Sequence, residues 1–316
     1  MNVREIKPFR ESETIPLEAM MPASPNWASI AGDGYHIFEV SLDGKVSAYF
    51  AVHIFKKLGK TFVINPPFMP HCGLTWVSPP TVLRKQTTFL HNLLEAIALF
   101  FKREYPSSYI DISFPRWVFS ILPFEWNDFL VSVKHVSHLN LDPAEESLLA
   151  AMSPNLRRNI LKDESEYRVE YNTDPDEVLT LLGETMRRAG EDFKEDQLAK
   201  ILNTQNGNWV FWACIKKDNL LLATSLFVCD SKTAYYLSGG INRDVNDLAA
   251  GSKAVWAGIS RAKTMKLETF DFCGSSVPSI ENYFRKYGVE QVMLPRIRKS
   301  TGTVEFLMKL KSTFFK

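Results

Sequence analysis

Apolar and polar residues alternate over two runs near the start of the chain, residues 35–42 and 46–55, with Asp43-Gly44 between them. A period of two puts one face of a strand on a core and the other toward solvent. Asp-Gly between two such runs predicts a hairpin, because its tight turn needs residues that tolerate positive φ. A third strand over residues 61–64 stops at Pro66-Pro67. Pro70, Gly73 and Pro79-Pro80 then mark a long irregular connection. From residue 81 the period changes. Phe89, Leu93, Ile97 and Phe100-Phe101 recur at three- and four-residue spacing, which predicts a helix over 81–102. Strands are predicted over 109–114 and 131–141, with short helical or loop pieces at 117–122 and 128–129.

A second block opens at Asp142-Pro143. A short helix over 144–152 precedes Ser153-Pro154, an N-cap residue followed by proline at the first helical position, which starts a helix over 155–166. The pattern then predicts a strand over 168–172 and helices over 174–189 and 194–204. Strands follow over 209–216, 220–229 and 233–239, then a helix over 251–266. A strand over 269–272, a helix over 279–287 and a last strand over 290–298 complete the block. Both blocks run through a strand meander, a helix, a strand, a helical piece and a closing strand. That order predicts an α/β protein (α+β mixed sheets) of two tandem domains, 1–141 and 142–316, each a twisted mixed sheet flanked by helices.

The chemistry concentrates in the second block. Tyr235-Tyr236-Leu237-Ser238-Gly239-Gly240 ends a strand in small residues, a polar loop follows, and Gly251-Ser252-Lys253 is read as the entry of the next helix. Free N–H groups at such an entry suit an anion, although most glycines there are plain loop-to-helix joints. Asp271 lies between Phe270 and Phe272 and so faces the opposite side of its strand. It reads as a general base for an amine or as a structural partner of Arg285. Tyr235 or Tyr236 reads as a general acid for a leaving group, against the commoner role of core packing. Asn155, Asn159, Arg157, Arg158 and Lys162 form a polar, cationic helix face that either meets a substrate or stays solvated. Glu184 and Glu191-Asp192 are further carboxylates.

Three segments carry a resemblance to a known family. They are residues 248–266, then Phe270-Asp271-Phe272 with Gly274-Ser275, then Phe284-Arg285-Lys286-Tyr287-Gly288. They look like the C-terminal domain of FemAB-like acyltransferases of the Gcn5-related N-acetyltransferase (GNAT) superfamily. Ser153-Pro154-Asn155-Leu156-Arg157-Arg158-Asn159-Ile160 is similar to a helix of the same family. The resemblance spans residues 153–298 and implies two tandem GNAT-like domains. It implies an N-acyltransferase that moves an acyl group from acetyl-CoA or another acyl-CoA to an amine bound between the domains. Combined with the residue reading above, this puts the donor against Ser238, Gly251, Ser252 and Lys253, with Asp271 and Tyr236 as catalytic groups and Asn155, Arg158 and Arg285 on the substrate. The superfamily's donor loop reads Arg/Gln-x-x-Gly-x-Gly/Ala. Here Leu248 and Lys253 flank the one shared glycine, Gly251. Relatives that use aminoacyl-tRNA also lack the full loop. The alternatives are therefore aminoacyl transfer from tRNA to a peptidoglycan precursor, or a non-catalytic ligand-binding member of the fold.

Composition narrows the picture little. The 316 residues are 45% hydrophobic and 23% charged, enough for a substantial core. The formal net charge of +1 speaks against a protein held on duplex nucleic acid by a broad basic surface. The four cysteines form no Cys-x-x-Cys pair, and residues 1–13 hold no apolar signal region. The longest apolar run, residues 93–101, is too short for a bilayer. These features predict a cytoplasmic protein without a transmembrane segment, with peripheral membrane contact allowed. The six histidines show no metal-binding spacing, so no metal is expected.

Overall fold

A computed structural model describes residues 1–6, 20–162, 167–190, 194–204, 209–245, 247–274 and 277–300. Contacts divide these into two compact units. One holds described residues 1–134 and 293–300, the other 135–292.

The first unit begins with β1 (Asn2–Ile6), α1 (Pro25–Ala31), β2 (Tyr35–Leu42), β3 (Lys45–Lys57), β4 (Lys60–Ile64) and β5 (Thr75–Trp76). It continues with α2 (Leu83–Glu104), β6 (Tyr109–Ser113), α3 (Leu122–Glu125) and the start of β7 (Leu130–Asn140). The predicted hairpin forms: Leu42 opposes Lys45, and Asp43 and Gly44 take φ of 50° and 76°. β1 to β4 pair antiparallel in order, β5 adds to β3, and β6 lies parallel to β4. α2 lays Leu90, Leu93, Leu94, Ile97 and Phe101 on Phe50, Val52, Val63 and Ile110, as its period requires. β1 and α1 carry no signal in the sequence reading above. Yet α1 uses the same device as the 153–154 start, with Ser24 accepting from Asn26 N ahead of Pro25.

The second unit takes up the end of β7, then α4 (Glu145–Ala151), α5 (Pro154–Ile160), β8 (Arg168–Tyr171), α6 (Pro175–Ala189) and α7 (Glu195–Leu202). β9 (Val210–Lys217), β10 (Leu220–Cys229) and β11 (Thr233–Ile241) follow, then α8 (Leu248–Thr264), β12 (Thr269–Asp271) and α9 (Pro278–Arg285). β8 to β11 pair antiparallel, β12 joins β11 in parallel, and β12 pairs antiparallel with residues 138–140 of β7. Phe211, Phe227, Val255, Ile259, Phe270 and Tyr287 form its core. The last strand, β13 (Glu290–Lys299), starts in this unit and ends in the first, where Arg296 opposes Ser113 of β6.

Each unit is thus a mixed sheet with helices against it, the predicted fold class. Two local expectations change. α8 begins at Leu248, not at Gly251, because Asp247 caps it with a bond from Ala249 N (2.9 Å). Ser153 holds the N-cap position of α5, but its hydroxyl makes no capping bond. The helix predicted over 155–166 is seen as Pro154–Ile160. Residues 163–166 lie outside the described residues, as do Glu191-Asp192 and Ser275.

Candidate functional site

β11 is the element on which the site is built. Its parallel pairing with β12 runs from Thr233/Thr269 only to Tyr235/Asp271, while β11 itself continues to Ile241. On its other edge it stays paired with β10 throughout, with one irregularity: Leu226 opposes Ser238 and Phe227 opposes Tyr236, so Leu237 is an extra residue. A bulge of this kind increases local twist and re-aims the side chains beyond it. A cavity of about 240 Å³ opens against this stretch, with Tyr236, Gly239, Gly240 and Ile241 on one side and Ser225 behind. Gly251 and Val255 of α8, Tyr283 of α9, and Thr185, Arg188, Thr224 and Arg243 complete it, and among the described residues no carboxylate lines it.

Tyr236 is held by an aromatic box. Its ring lies 5.7 Å from Phe227, 5.8 Å from Phe284 at nearly a right angle, and 6.1 Å from Phe272. A Cβ on Gly239 would sit 2.1 Å from the Tyr236 hydroxyl, so only glycine lets the hydroxyl occupy that place. Burial, with a smaller contribution from Tyr283, pushes the Tyr236 phenol above its ordinary value of 10.0, while a hydrogen bond with Ser225 pulls the other way. The group is therefore a proton donor at neutral pH, not a base. Tyr283 and Tyr287 share a hydrogen bond of 2.7 Å, and Ser252 bonds to both, tying α8 to α9. Tyr235, one residue earlier, faces the other way, is 1% exposed and donates to Asp230 Oδ2 at 3.0 Å.

The other residues singled out from the sequence fall into separate places. Gly251 lines the cavity, inside the first turns of α8. Ser238 is buried at the bulge. Lys253 points away from the cavity. Its ammonium donates to the carbonyls of Ile160 and Lys162, both at 2.7 Å, and lies 5.0 Å over the ring of Tyr167. Asp271 is 1% exposed. Oδ1 accepts from Cys273 N at 2.7 Å, and Oδ2 is 3.1 Å from His138 Nε2 on the neighbouring strand. That histidine contact is close but off the hydrogen-bonding direction, so it is a packing contact and not an aligned bond. Arg285 is exposed and bonds Asn282 Oδ1 at 3.0 Å, so it is not the partner of Asp271. Asn155 and Arg158 are exposed on α5, whose Leu156 and Ile160 are buried. Glu184 lines a different, acidic cavity with Asp174, Asp176 and Glu177.

The start of α8 also differs from the open anion seat expected of it. Asp247 already occupies the first N–H groups, and its Oδ2 accepts from Tyr167 at 2.6 Å. Burial would raise its pKa. The bonds from Tyr167, Ala249 and Ala250 and the charge of Lys162 outweigh that and hold it below the ordinary 3.8. A carboxylate therefore stands where a phosphate would have met bare donors. The cations sit elsewhere. Arg188 Nη2 donates to Ile241 O (2.7 Å) and Thr185 Oγ1 (3.0 Å), which fixes the end of α6 to the end of β11. Arg243 lies exposed on a 3-10 turn just past that strand. Sequence reasoning missed both arginines, as well as Ser225 and Tyr283. Arg188, beside Arg187 in the last turn of α6, has the look of an ordinary cation at a helix C-terminus.

Among the described residues no group of three His, Cys, Asp or Glu side chains is placed to hold a metal ion. No described helix is long and apolar enough to cross a membrane.

Comparison with known proteins places this geometry. Residues 152–285 match the family model described as an acetyltransferase (GNAT) domain, a stretch that contains the whole lining of the cavity. The fold is similar to that of FemX (TM-score 0.69, 14% identity, covering 98% of this chain and 99% of that one). It is also similar to a tandem GNAT protein from the clavulanic acid biosynthesis pathway (TM-score 0.54, 12% identity, 94% and 97% covered). A third match is L-PGS from Bacillus licheniformis (TM-score 0.53, 11% identity, 89% and 88% covered). At such identities the likeness is one of fold. No curated protein matches the chain by sequence. The resemblance to FemAB-like acyltransferases of the GNAT superfamily, and the mixed-sheet fold class it implied, are borne out.

Proposed function

Taking the GNAT-type acyltransferase fold as the premise, we propose that this chain is an N-acyltransferase whose activated acyl group enters the cavity beside β11. The observation that carries the reading is the parting of β11 from β12 at Tyr235. It leaves one edge of β11 without β12 beside it, and the cavity holds a protonated tyrosine and two arginines. Amide formation needs three things there. An amine attacks the acyl carbonyl, donors hold the oxyanion, and the leaving oxygen or sulfur takes up a proton. In this proposal backbone N–H groups of β11 beyond Tyr235 face the oxyanion. Tyr236 gives its proton to the leaving atom and takes back the one that the attacking nitrogen loses, so the phenol is restored at the end of the step. Gly239 and Gly251 keep the approach open, and Ser252 holds Tyr283 in place. Asp271 positions the end of β12 through His138 and Cys273 N. Arg158 and Arg285, both exposed in the same unit, and Asn155 are assigned to the acceptor, a small-molecule amine or a peptidoglycan precursor.

The two arginines in the cavity lining, Arg188 and Arg243, favour a donor bearing phosphate. Acyl-CoA and aminoacyl-tRNA both qualify. The self-capped start of α8 favours the second, because Asp247 opposes a pyrophosphate at that helix end. Isothermal titration with acetyl-CoA decides between them. Binding at about millimolar or tighter, weakened roughly tenfold by Arg243→Glu, supports the thioester donor. No heat at that concentration removes it, and retention of aminoacyl-tRNA on filters, falling with salt, then supports the tRNA donor. If neither donor binds, acyl transfer at this cavity is wrong.

A further inference from the structure

The first unit carries a cavity of about 680 Å³, inside the usual range for ligand sites and larger than the one beside β11. It lies between the β2–β3 turn and the first turns of α2. Three cationic side chains from two elements converge on it: Lys45 from the start of β3, and Arg84 and Lys85 from α2. One carboxylate, Asp43, lines it as well. The local balance is therefore three positive against one negative, in a chain whose overall formal charge is only +1.

Cations scattered over a surface are ordinarily just solvated. Two observations separate these from that case. None of Lys45, Arg84 and Lys85 makes an ion pair with a described residue, although all three line one cavity. And charge is sorted between cavities. The acidic one in the second unit is lined by Asp174, Asp176, Glu177 and Glu184 without a cation. Like charges gathered around a concave wall repel one another and raise the local concentration of anions. The wall also has an apolar part. Phe89 lines the cavity, backed by Trp76 at 6.3 Å, which is itself stacked on Trp117 at 4.1 Å. Val82 and Leu83, next to Arg84, are 56% and 69% exposed.

We propose that this cavity binds a phosphate-bearing ligand, its phosphate held by Lys45, Arg84 and Lys85 and its organic part resting on Phe89. The site is independent of the cavity beside β11 and of the reaction assigned there. Phosphate is the anion that matches three donors from separate elements, since it offers several acceptor oxygens at once. The same chemistry is met in a free phosphate ester and in an anionic lipid headgroup, and the exposed Val82 and Leu83 suit either.

The test uses the full chain with two probes. Inorganic pyrophosphate is titrated calorimetrically, and phosphatidylcholine vesicles with and without phosphatidylglycerol are used in sedimentation. The variants are Arg84→Glu/Lys85→Glu, Lys45→Gln as a milder change, and Lys200→Glu on the exposed face of α7 as a charge control. Circular dichroism checks folding, and Lys45→Gln keeps the test alive if the double variant does not fold. Binding of pyrophosphate or of the anionic vesicles is expected, weakened about tenfold or more by the double variant, less by Lys45→Gln, and unchanged by Lys200→Glu. Pyrophosphate alone identifies a free phosphate ligand, and anionic vesicles alone a headgroup. Binding of neither probe overturns the proposal, as does an equal loss in Lys200→Glu, which would mean unspecific attraction.

Discussion

Tyr236 shows how one residue's role depends on its surroundings. Two adjacent tyrosines stand on β11, and a period of two puts them on opposite faces. The sequence offers both as general acids, and the expectation of Tyr236 has no packing argument behind it. The structure chooses through packing, since Tyr235 is engaged by Asp230 and Tyr236 reaches the cavity over Gly239. Replacing Tyr236 by Phe keeps the aromatic box and removes only the hydroxyl. Under the proposed mechanism single-turnover transfer falls by about 10²–10³, the scale of a lost general acid. The pH dependence gives a second check. Burial holds this phenol above 10.0, so its own ionisation removes no activity below that pH. Any fall in rate between neutrality and pH 10 belongs to another group and persists in the Phe variant. A basic limb below pH 10 that disappears on substitution would contradict the assignment. At this scale the tyrosines and Gly251 were legible. Lys253 was not, because its partners, the carbonyls of Ile160 and Lys162, lie some ninety residues away in the chain.

At the scale of the element, α8 carries two glycines whose substitutions separate stability from access. A Cβ on Gly258 would lie 2.0 Å from Cζ of Phe227 and within 2.6 Å of two more ring atoms. That ring is clamped by Phe211 at 4.8 Å and Phe270 at 5.6 Å and has nowhere to go. Gly258→Ala therefore forces α8 off β10, for a loss of about 1–3 kcal/mol in urea unfolding despite the better helix propensity of alanine. A Cβ on Gly251 meets Ile241 Cδ1 at 2.5 Å, the movable end of a side chain at the cavity wall. Gly251→Ala is expected to change stability by less than about 1 kcal/mol while weakening donor binding. Equal stability losses in the two variants would refute this contrast. The misread start of α8 has a clear cause. Gly251 reads as the entry because glycine often marks a loop, yet Asp247, a better N-cap residue, stands four positions earlier. Strands and helices with sustained period were placed to within a few residues. β1 (Asn2–Ile6) buries Val3 and Ile6, three apart and not two, and α1 is only Pro25–Ala31, so neither shows its period.

At the scale of the whole molecule, the chain's path is what local pattern could not show. β13 looks like one more strand of the second block, and the sequence does not say that its last residues pair with β6, some 185 positions back. Strand pairing across such a distance leaves no periodic trace, since each strand signals only its own burial. Two contacts make the segment part of the first unit. Arg296 grips Asp111 with two hydrogen bonds, one of 2.6 Å from Nε to Oδ1, and Ile297 is fully buried in the core with Ile110, Ile112 and Phe101. The ion pair is partly solvent-exposed, which limits what it contributes, so the larger share falls to the isoleucine. Ile297→Ala deletes buried methyl and methylene groups that α2 and β6 cannot easily replace, at a cost of about 2–5 kcal/mol. Hydrogen exchange reports where that cost appears. Protection is expected to fall in the peptides that cover β3, β4, β6 and α2, although the substitution lies more than 180 residues along the chain from all of them. A loss confined to β9, β10 and β11 would mean that the C-terminal strand supports the second unit instead.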